Sequence, residues 1–223
     1  MKLNRRYLRN IRENLSFYVA STILTVATLL MFYMFYISGT AILAFAEEFF
    51  PAHHLEDANF TTYLPLSEAD IAELETQYDL TLEQEHYINL DTDGTTARVF
   101  QKTKELDLYE ITVGRDIQTD DEIIISEGYA VRMEVALGDK LRIGDRAYTV
   151  TGYFQRPDYL YMLENEDDSY KNITTFFLAY MSDNAFQDLG ESGCRYLVRY
   201  QRDNSTEFRK AVHRDFIMRS YLS

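Results

Sequence analysis

The sequence has one cysteine, three prolines, nine glycines and no tryptophan. With only Cys194, an internal disulfide is excluded, so any exported part must draw its stability from a packed core. Cys194 lies between Gly193 and Arg195 at the entry to the apolar run YLVRY, which suits a small residue buried at a strand edge. No G-x-x-x-x-G-K-[ST] pattern occurs, so the chain lacks a Walker phosphate loop and is expected neither to bind nor to hydrolyse ATP. H-E-x-x-H and C-x-x-C are also missing, which removes the usual sequence support for a zinc site. Basic charge is scarce: 22 Lys and Arg stand against 36 Asp and Glu, for a formal net charge of −14. That balance argues against a nucleic-acid partner. The chain also has no internal repeat, low-complexity tract or internal linker.

What basic charge there is gathers at one end. Residues 1–14 hold Lys2, Arg5, Arg6, Arg9 and Arg12 against Glu13 alone, a net of +4 that leaves −18 for the rest. From Asn14 to Ala46 no side chain is charged. A bilayer core takes about 20 apolar residues, and some thirty helical residues reach roughly 45 Å, enough to cross with a tilt or to protrude. The cationic residues before this run and Glu47-Glu48 after it point the N-terminus to the cytoplasm. The resulting division is a cytoplasmic basic segment (1–14), a transmembrane helix (15–46) and an extracytoplasmic body (47–223). Ala44-Phe45-Ala46 looks like a signal-peptidase site, but the apolar run is twice the length of a signal h-region, which favours an uncleaved anchor.

The body alternates short strand and helix patterns and predicts a mixed, mainly antiparallel α+β domain with at least seven strands. Strands are expected at 59–66, in LTLEQEHYINLD, in TTARVFQKT after the Asp93-Gly94 turn, in LDLYEITVG, in DEIIIS, and in NITTFFLAYM and RYLVRY. Ser67 and Asp70 form an approximate capping box before a helix carrying Ile71, Leu74 and Tyr78. EGYAVRMEV reads as a short helix, and Gly144-Asp145 as the turn of a hairpin framed by Leu141, Ile143, Tyr148 and Val150. An amphipathic helix over 205–216 presents Phe208, Val212 and Phe216.

Few residues suggest chemistry. His53-His54 lies near Glu47, Glu48, Glu56 and Asp57, but adjacent residues face one ion poorly, and a juxtamembrane loop is expected there. Asp91-Thr92-Asp93-Gly94 resembles the start of a calcium loop without its later ligands, so a turn is expected instead. His86 and His213 are isolated, and no nucleophilic triad has local support. No metal ligand, cofactor-binding or catalytic residue is therefore expected. The acidic, tyrosine-rich stretch after Arg156-Pro157-Asp158 is a candidate binding loop through Tyr159, Tyr161, Glu164, Asp167 and Asp168. Asn59, Asn172 and Asn204 begin N-x-[ST] sequons, which matter only in a glycosylating host.

The order of parts resembles the FtsX-like/MacB-type bacterial ABC transporter permeases. YLRNIRENLSFYVASTILTV is similar to their basic approach to a first membrane helix, and a large extracytoplasmic domain follows it. That domain's order of motifs matches Gly114-Arg115, then Asp121-Glu122 with IIIS, then GYAVRMEVALGDKLRIG, then YTVTGYF with Val150 and Gly152. RPDYLYM and TFFLAYMS look like the later part of the domain in Gram-positive members, while Ile117 stands near the place of a usual proline.

The resemblance implies a MacB-like periplasmic core domain and three further membrane helices after it, so the sequence ending at Ser223 is expected to be part of a longer permease or to need a separate partner. It also implies partners: a cytoplasmic ABC-type ATP-binding subunit, other permease helices or a second permease, the lipid bilayer, and a peptide, lipid or lipoprotein substrate. The expected function is that of a permease portion whose outer domain binds substrate or partner and is coupled to ATP-driven motion. The other class open to the sequence is a stand-alone single-pass interaction or sensor protein. If motion is relayed, the coupling junction is expected at Gly39, Glu47 and Glu48.

Overall fold

The computed structural model describes residues 12–62, 64–92, 94–159, 175–202 and 205–215, the side chains of 213–215 excepted. The chain divides into two compact units, Met1–Phe49 and Phe50–Ser223.

The first unit is dominated by helix α1, Leu15–Ala52, which starts with the expected span and runs six residues past Ala46. Among the described residues it is the one helix long and apolar enough to cross a membrane, and its apolar window is entirely unburied. Inside it, Thr25, Thr28 and Thr40 donate their hydroxyls to the carbonyls of Ser21, Leu24 and Tyr36 at 2.9–3.0 Å. Those bonds satisfy polar groups that an apolar surrounding would not. The helix ends just after Pro51, where His54 takes a left-handed conformation (φ 53°) and Leu55 N–H closes onto the Phe50 carbonyl at 3.0 Å.

The second unit is built on a nine-stranded mixed sheet. In chain order its elements are β1 (Ala58–Phe60), α2 (Glu68–Tyr78), β2 (Leu80–Thr92), β3 (Thr95–Phe100), β4 (Glu110–Gly114), β5 (Glu122–Ser126), α3 (Glu127–Met133), β6 (Lys140–Ile143), β7 (Arg146–Gln155), β8 (Phe176–Met181), α4 (Asp183–Gln187), β9 (Gly193–Tyr200) and α5 (Ser205–Asp215). The strands lie in the order β1-β9-β2-β3-β8-β5-β7-β4, with β6 also pairing β7. Among the described residues, the β3–β8 and β5–β7 pairings are the parallel ones, in keeping with the expected mainly antiparallel domain.

The burial explains the pattern. β5 and β8 are central, and successive residues feed opposite faces: Ile123, Ile125, Phe177, Ala179 and Met181 enter one core, while Ile124, Phe176, Leu178 and Tyr180 enter another. Strands covered on both faces read as continuous apolar runs, which is why IIIS and FFLAYM show no alternation. A third cluster joins Phe60, Leu74, Leu80, Leu82, Tyr196 and Val198 with Phe208 and Val212 of α5, two residues of the face expected for that helix; the third, Phe216, lies outside the described residues. The Gly144 hairpin forms as expected. Ile143 pairs with Arg146, Gly144 has φ 59°, and Ile143, Tyr148 and Val150 are buried in the first core. The capping box of Ser67 and Asp70 is present as well.

Two expectations need correction, and one element is added. The first strand stops at Phe60 rather than running to Leu66, because Tyr196 is its last partner and the Tyr196 hydroxyl then accepts the Leu66 N–H at 2.6 Å. The segment LDLYEITVG is strand only from Glu110. Before it the Glu83 carboxylate takes the N–H groups of Lys104, Glu105 and Leu106 at 2.6–3.0 Å, and Asp107 turns left-handed (φ 49°), so no strand partner is left for that stretch. Helix α4 was not foreseen; it is one turn, capped by Ser182, whose hydroxyl accepts the Ala185 N–H.

Candidate functional site

Among the described residues of the second unit, a group of ionisable side chains is buried together, and it is assembled from five separate segments. Glu85 on β2 faces Arg195 on β9 in direct register. Both belong to the side of β2 opposite Leu80, Leu82, Ile88 and Leu90. Arg156 follows the end of β7, and the turn Arg156-Pro157-Asp158 folds Asp158 back onto its own neighbour. Asp107 comes from the left-handed bend before β4, and Glu56 from the short link between α1 and β1.

Arg156 is 2% exposed and Asp107 has no exposed surface. The Arg156 guanidinium donates Nε to Asp158 Oδ1 at 2.6 Å, Nη2 to Asp158 Oδ2 at 2.9 Å, and Nη1 to the Tyr180 hydroxyl at 2.8 Å. Its Nη1 also lies 2.8 Å from Glu85 Oε1, and its Nη2 3.5 Å from Asp107 Oδ2. Arg195 donates Nε to Glu85 Oε2, and Nη2 to Asp158 Oδ2 at 2.9 Å. Aromatic faces complete the enclosure: the Arg156 guanidinium carbon is 4.4 Å from the Phe100 ring centroid and 5.6 Å from that of Tyr159. Arg98 donates to the Tyr159 hydroxyl at 2.7 Å, which fixes the ring.

The charges do not balance. Glu56, Glu85, Asp107 and Asp158 face two guanidinium groups. Burial works to raise the Glu85 carboxyl, but Arg156 and Arg195 outweigh it and hold the group below its ordinary range. For Glu56, burial and then the charge of Asp107 push the carboxyl up to about 8. For Asp107, burial and then Asp158 push it up to about 7. Three buried carboxylate oxygens of the cluster, Glu56 Oε2, Glu85 Oε1 and Asp107 Oδ2, have no hydrogen-bond partner, although Arg156 Nη1 lies 2.8 Å from Glu85 Oε1 and Arg156 Nη2 3.5 Å from Asp107 Oδ2. Their sister atoms do: Asn59 donates to Glu56 Oε1 at 2.9 Å, and the Glu56 N–H to Asp107 Oδ1 at 3.0 Å. The arrangement offers carboxylate oxygens with lone pairs to spare, and no activated nucleophile.

The sequence-expected site residues fare differently. Tyr159 is part of this enclosure, packed among Arg98, Arg156 and Arg195 and half-buried. Tyr161, Glu164, Asp167 and Asp168 lie outside the described residues, as do Asn172 and Asn204. Gly39, Glu47 and Glu48 lie within α1, with both glutamates exposed. His53 and His54 separate, His53 toward Glu110 at 3.7 Å and His54 onto the Glu105 carbonyl at 2.7 Å. Glu56 turns instead to the buried cluster. Asp91 accepts the Gly94 N–H as a turn residue, and His86 meets the Ser192 hydroxyl at 3.2 Å. The side chain of His213 lies outside the described set. Cys194 is half-buried, with its sulfur taking a bond from Gln84, and burial raises its thiol.

The motif glycines also find a place. Gly114 pairs with Gly152 where β4 meets β7. Beside them Arg115 makes a bidentate pair with Glu122 at 2.6 and 2.9 Å, and its hydrogen bonds hold the Glu122 carboxyl down at about 2.

No protein-family model matches the sequence, and no curated protein matches it. Among solved structures, the chain is similar to the periplasmic region of MacB from Actinobacillus actinomycetemcomitans, with 12% identity over 75% of this chain and 85% of that one, and a TM-score of 0.39. It is also similar to the extracellular domain of the noncanonic ABC-type transporter YknZ from Gram-positive bacteria, with 13% identity over 67% of this chain and 86% of that one, and a TM-score of 0.40. These are domains of the kind of transporter that the sequence motifs resemble, at a distance too great to carry residue roles across.

Proposed function

We propose that this chain is the anchor and outer domain of an ABC transporter permease subunit. Its N-terminus lies in the cytoplasm, α1 crosses the bilayer, and the α+β unit works outside the membrane. The observation that carries this reading is a helix of 38 residues whose apolar window is wholly unburied, set directly before an acidic mixed-sheet unit with the motif order of that family. An exposed apolar surface of that extent needs a cover, and a bilayer core of about 30 Å supplies one for about 20 of its residues.

Energy comes from a separate cytoplasmic ATP-binding subunit, and the chain performs no catalytic step of its own. The outer unit takes a peptide, lipid or lipoprotein substrate, or a protein partner, and α1 relays motion as one continuous helix. Gly39 is the weak point of that helix, since glycine in a helix interior costs about 1 kcal/mol relative to alanine. No heavy atom within 4 Å crowds the place of a side chain there.

The test is a flexible Gly-Ser segment inserted between Ala46 and Phe50 of the full gene product in its natural host. The variant is expected to reach the membrane at the normal level and to retain its ATP-binding partner and its ATPase activity, while losing the physiological output. Full output would show that α1 is only a tether, and absence of an ATP-binding partner from the purified wild-type complex would contradict the transporter reading.

A further inference from the structure

We propose that the segment 53–57, which joins α1 to β1, is a latch held shut by protons: it stays locked to the bend before β4 while Glu56 and Asp107 are neutral, and loosens when both carboxyls are charged. Two seams hold the segment. Toward the bend, the Asp107 and Leu108 N–H groups donate to the His54 and His53 carbonyls at 3.1 and 2.9 Å, and the Glu56 N–H donates to Asp107 Oδ1 at 3.0 Å. Toward β9, the Asp57 N–H donates to the Val198 carbonyl and the Tyr200 N–H to Asp57 Oδ2, both at 2.8 Å. Glu56 lies between these seams, and its Oε2 atom is buried. One carboxylate oxygen from each of Glu56, Asp107 and Asp158 lies within 4.8 Å of the others. At that spacing the charged forms repel strongly where water is excluded. Asp107 also accepts the Glu56 N–H, so whatever drives the two carboxyls apart pulls on the first seam.

The two guanidiniums are committed elsewhere. Arg156 and Arg195 direct their hydrogen bonds to carboxylates at Glu85 and Asp158, and Arg156 Nη1 also lies 2.8 Å from Glu85 Oε1. Asp107 Oδ2 receives the 3.5 Å approach of Arg156 Nη2, which already donates to Asp158. Glu56 Oε1 accepts from the neutral amide of Asn59. Tyr159 and Tyr180 bring hydroxyls and no positive charge. The other titratable groups on the segment and the bend are His53, His54, Asp57, Glu105 and Glu110; His53 points to Glu110 and His54 to the Glu105 carbonyl. A carboxyl buried without a counter-charge keeps its proton. Burial and then Asp107 push the Glu56 carboxyl up to about 8, against the weaker pull of Arg195, and burial and then Asp158 push Asp107 up to about 7. Both groups therefore bind protons more tightly in the closed form than in an open one. The closed form gains as pH falls from about 8 toward the ordinary carboxylate range and loses as pH rises, by up to about tenfold per pH unit for each group. Glu85, where Arg156 and Arg195 outweigh burial, acts with the opposite sign, and only once pH falls into that ordinary range.

The experiment follows amide hydrogen exchange of the full chain in detergent from about pH 5.5 to about pH 8.5, with rates corrected for their intrinsic pH dependence. Protection of the Glu56, Asp107 and Leu108 amides is expected to fall by more than about tenfold across that range. Infrared titration of the same wild-type sample should show a protonated-carboxyl band at neutral pH that is lost by about pH 8.5. Glu56→Gln and Asp107→Asn mimic the neutral forms, so each should keep its protection at the upper pH and weaken the infrared band. A control that combines His53→Gln with His54→Asn removes the neighbouring imidazoles and is expected to keep the wild-type response. The proposal is overturned if wild-type protection does not change with pH, if no protonated carboxyl absorbs at neutral pH, if both carboxamide variants lose protection like the wild type, or if the response vanishes with the two histidines. Failure of both carboxamide variants to fold also contradicts it, because they carry the neutral form that closes the latch. None of these outcomes depends on transport, so the latch and the transporter reading stand or fall separately.

Discussion

Replacing Arg156 by methionine is expected to destabilise the second unit by about 3–5 kcal/mol, the usual cost of removing one partner from a buried ion pair. The reason is local. Among the described residues, Arg156 is the one group that touches Glu85, Asp107 and Asp158 together, and it is closed in by Phe100 and Tyr180. Methionine fills much of the same volume, so the loss measures charge left without a partner rather than a cavity. A domain of this size holds about 5–15 kcal/mol in total, so the variant should stand near the edge of unfolding. Arg156→Lys should recover little, because an ammonium cannot reproduce the forked contact with Asp158. Urea unfolding of residues 50–223, which form a compact unit with their own cores, reads both effects. A loss below about 1 kcal/mol for Arg156→Met would show that the cluster relaxes and does not organise the fold.

The second large effect is expected at Gly114. A Cβ there would lie 2.4 Å from the Thr151 carbonyl oxygen and 2.9 Å from Gly152 Cα, and φ is +83°. Alanine therefore meets two costs at once: overpacking against backbone, about 1–3 kcal/mol, and a left-handed conformation, about 1–2 kcal/mol. Gly152→Ala meets the first cost only, with its Cβ 2.5 Å from the Arg115 carbonyl oxygen, and should lose less. Gly128→Ala is the control. It lies in α3 with open space around it and no positive φ, and should be neutral or slightly stabilising. The same urea measurement ranks the three, and Gly114→Ala as mild as Gly128→Ala would contradict the account of why glycines sit at the β4–β7 contact.

These two sites mark what the sequence can and cannot show. The strands, the Gly144 hairpin, the Ser67 cap and the amphipathic α5 are written in local patterns of period 2 or 3.6 and in turn chemistry, and they were legible. The shortened first strand and the late start of β4 were not, because the groups that end them, Tyr196 and Glu83, act from distant segments. The buried cluster was illegible for the same reason. Glu85 sits at a position of β2 that reads as its polar face, and nothing near it in sequence announces Arg195 or Arg156. Its one local signal was Arg156-Pro157-Asp158, where a proline holds two opposite charges in a tight turn; it served only to mark the start of the acidic stretch. Gly114 and Gly152 were visible as motif residues, but the reason for them appears only where the two strands touch.

The central claim is that α1 is an uncleaved membrane span with the acidic unit on the outer side. The direct measurement is a pair of topology reporters on the same protein, one before Met1 and one after Ser223. The account predicts a membrane-bound product carrying both, with the first active inside the cell and the second active outside. Reversed activities, or an exported product cut after Ala46 and free of the membrane, would contradict it.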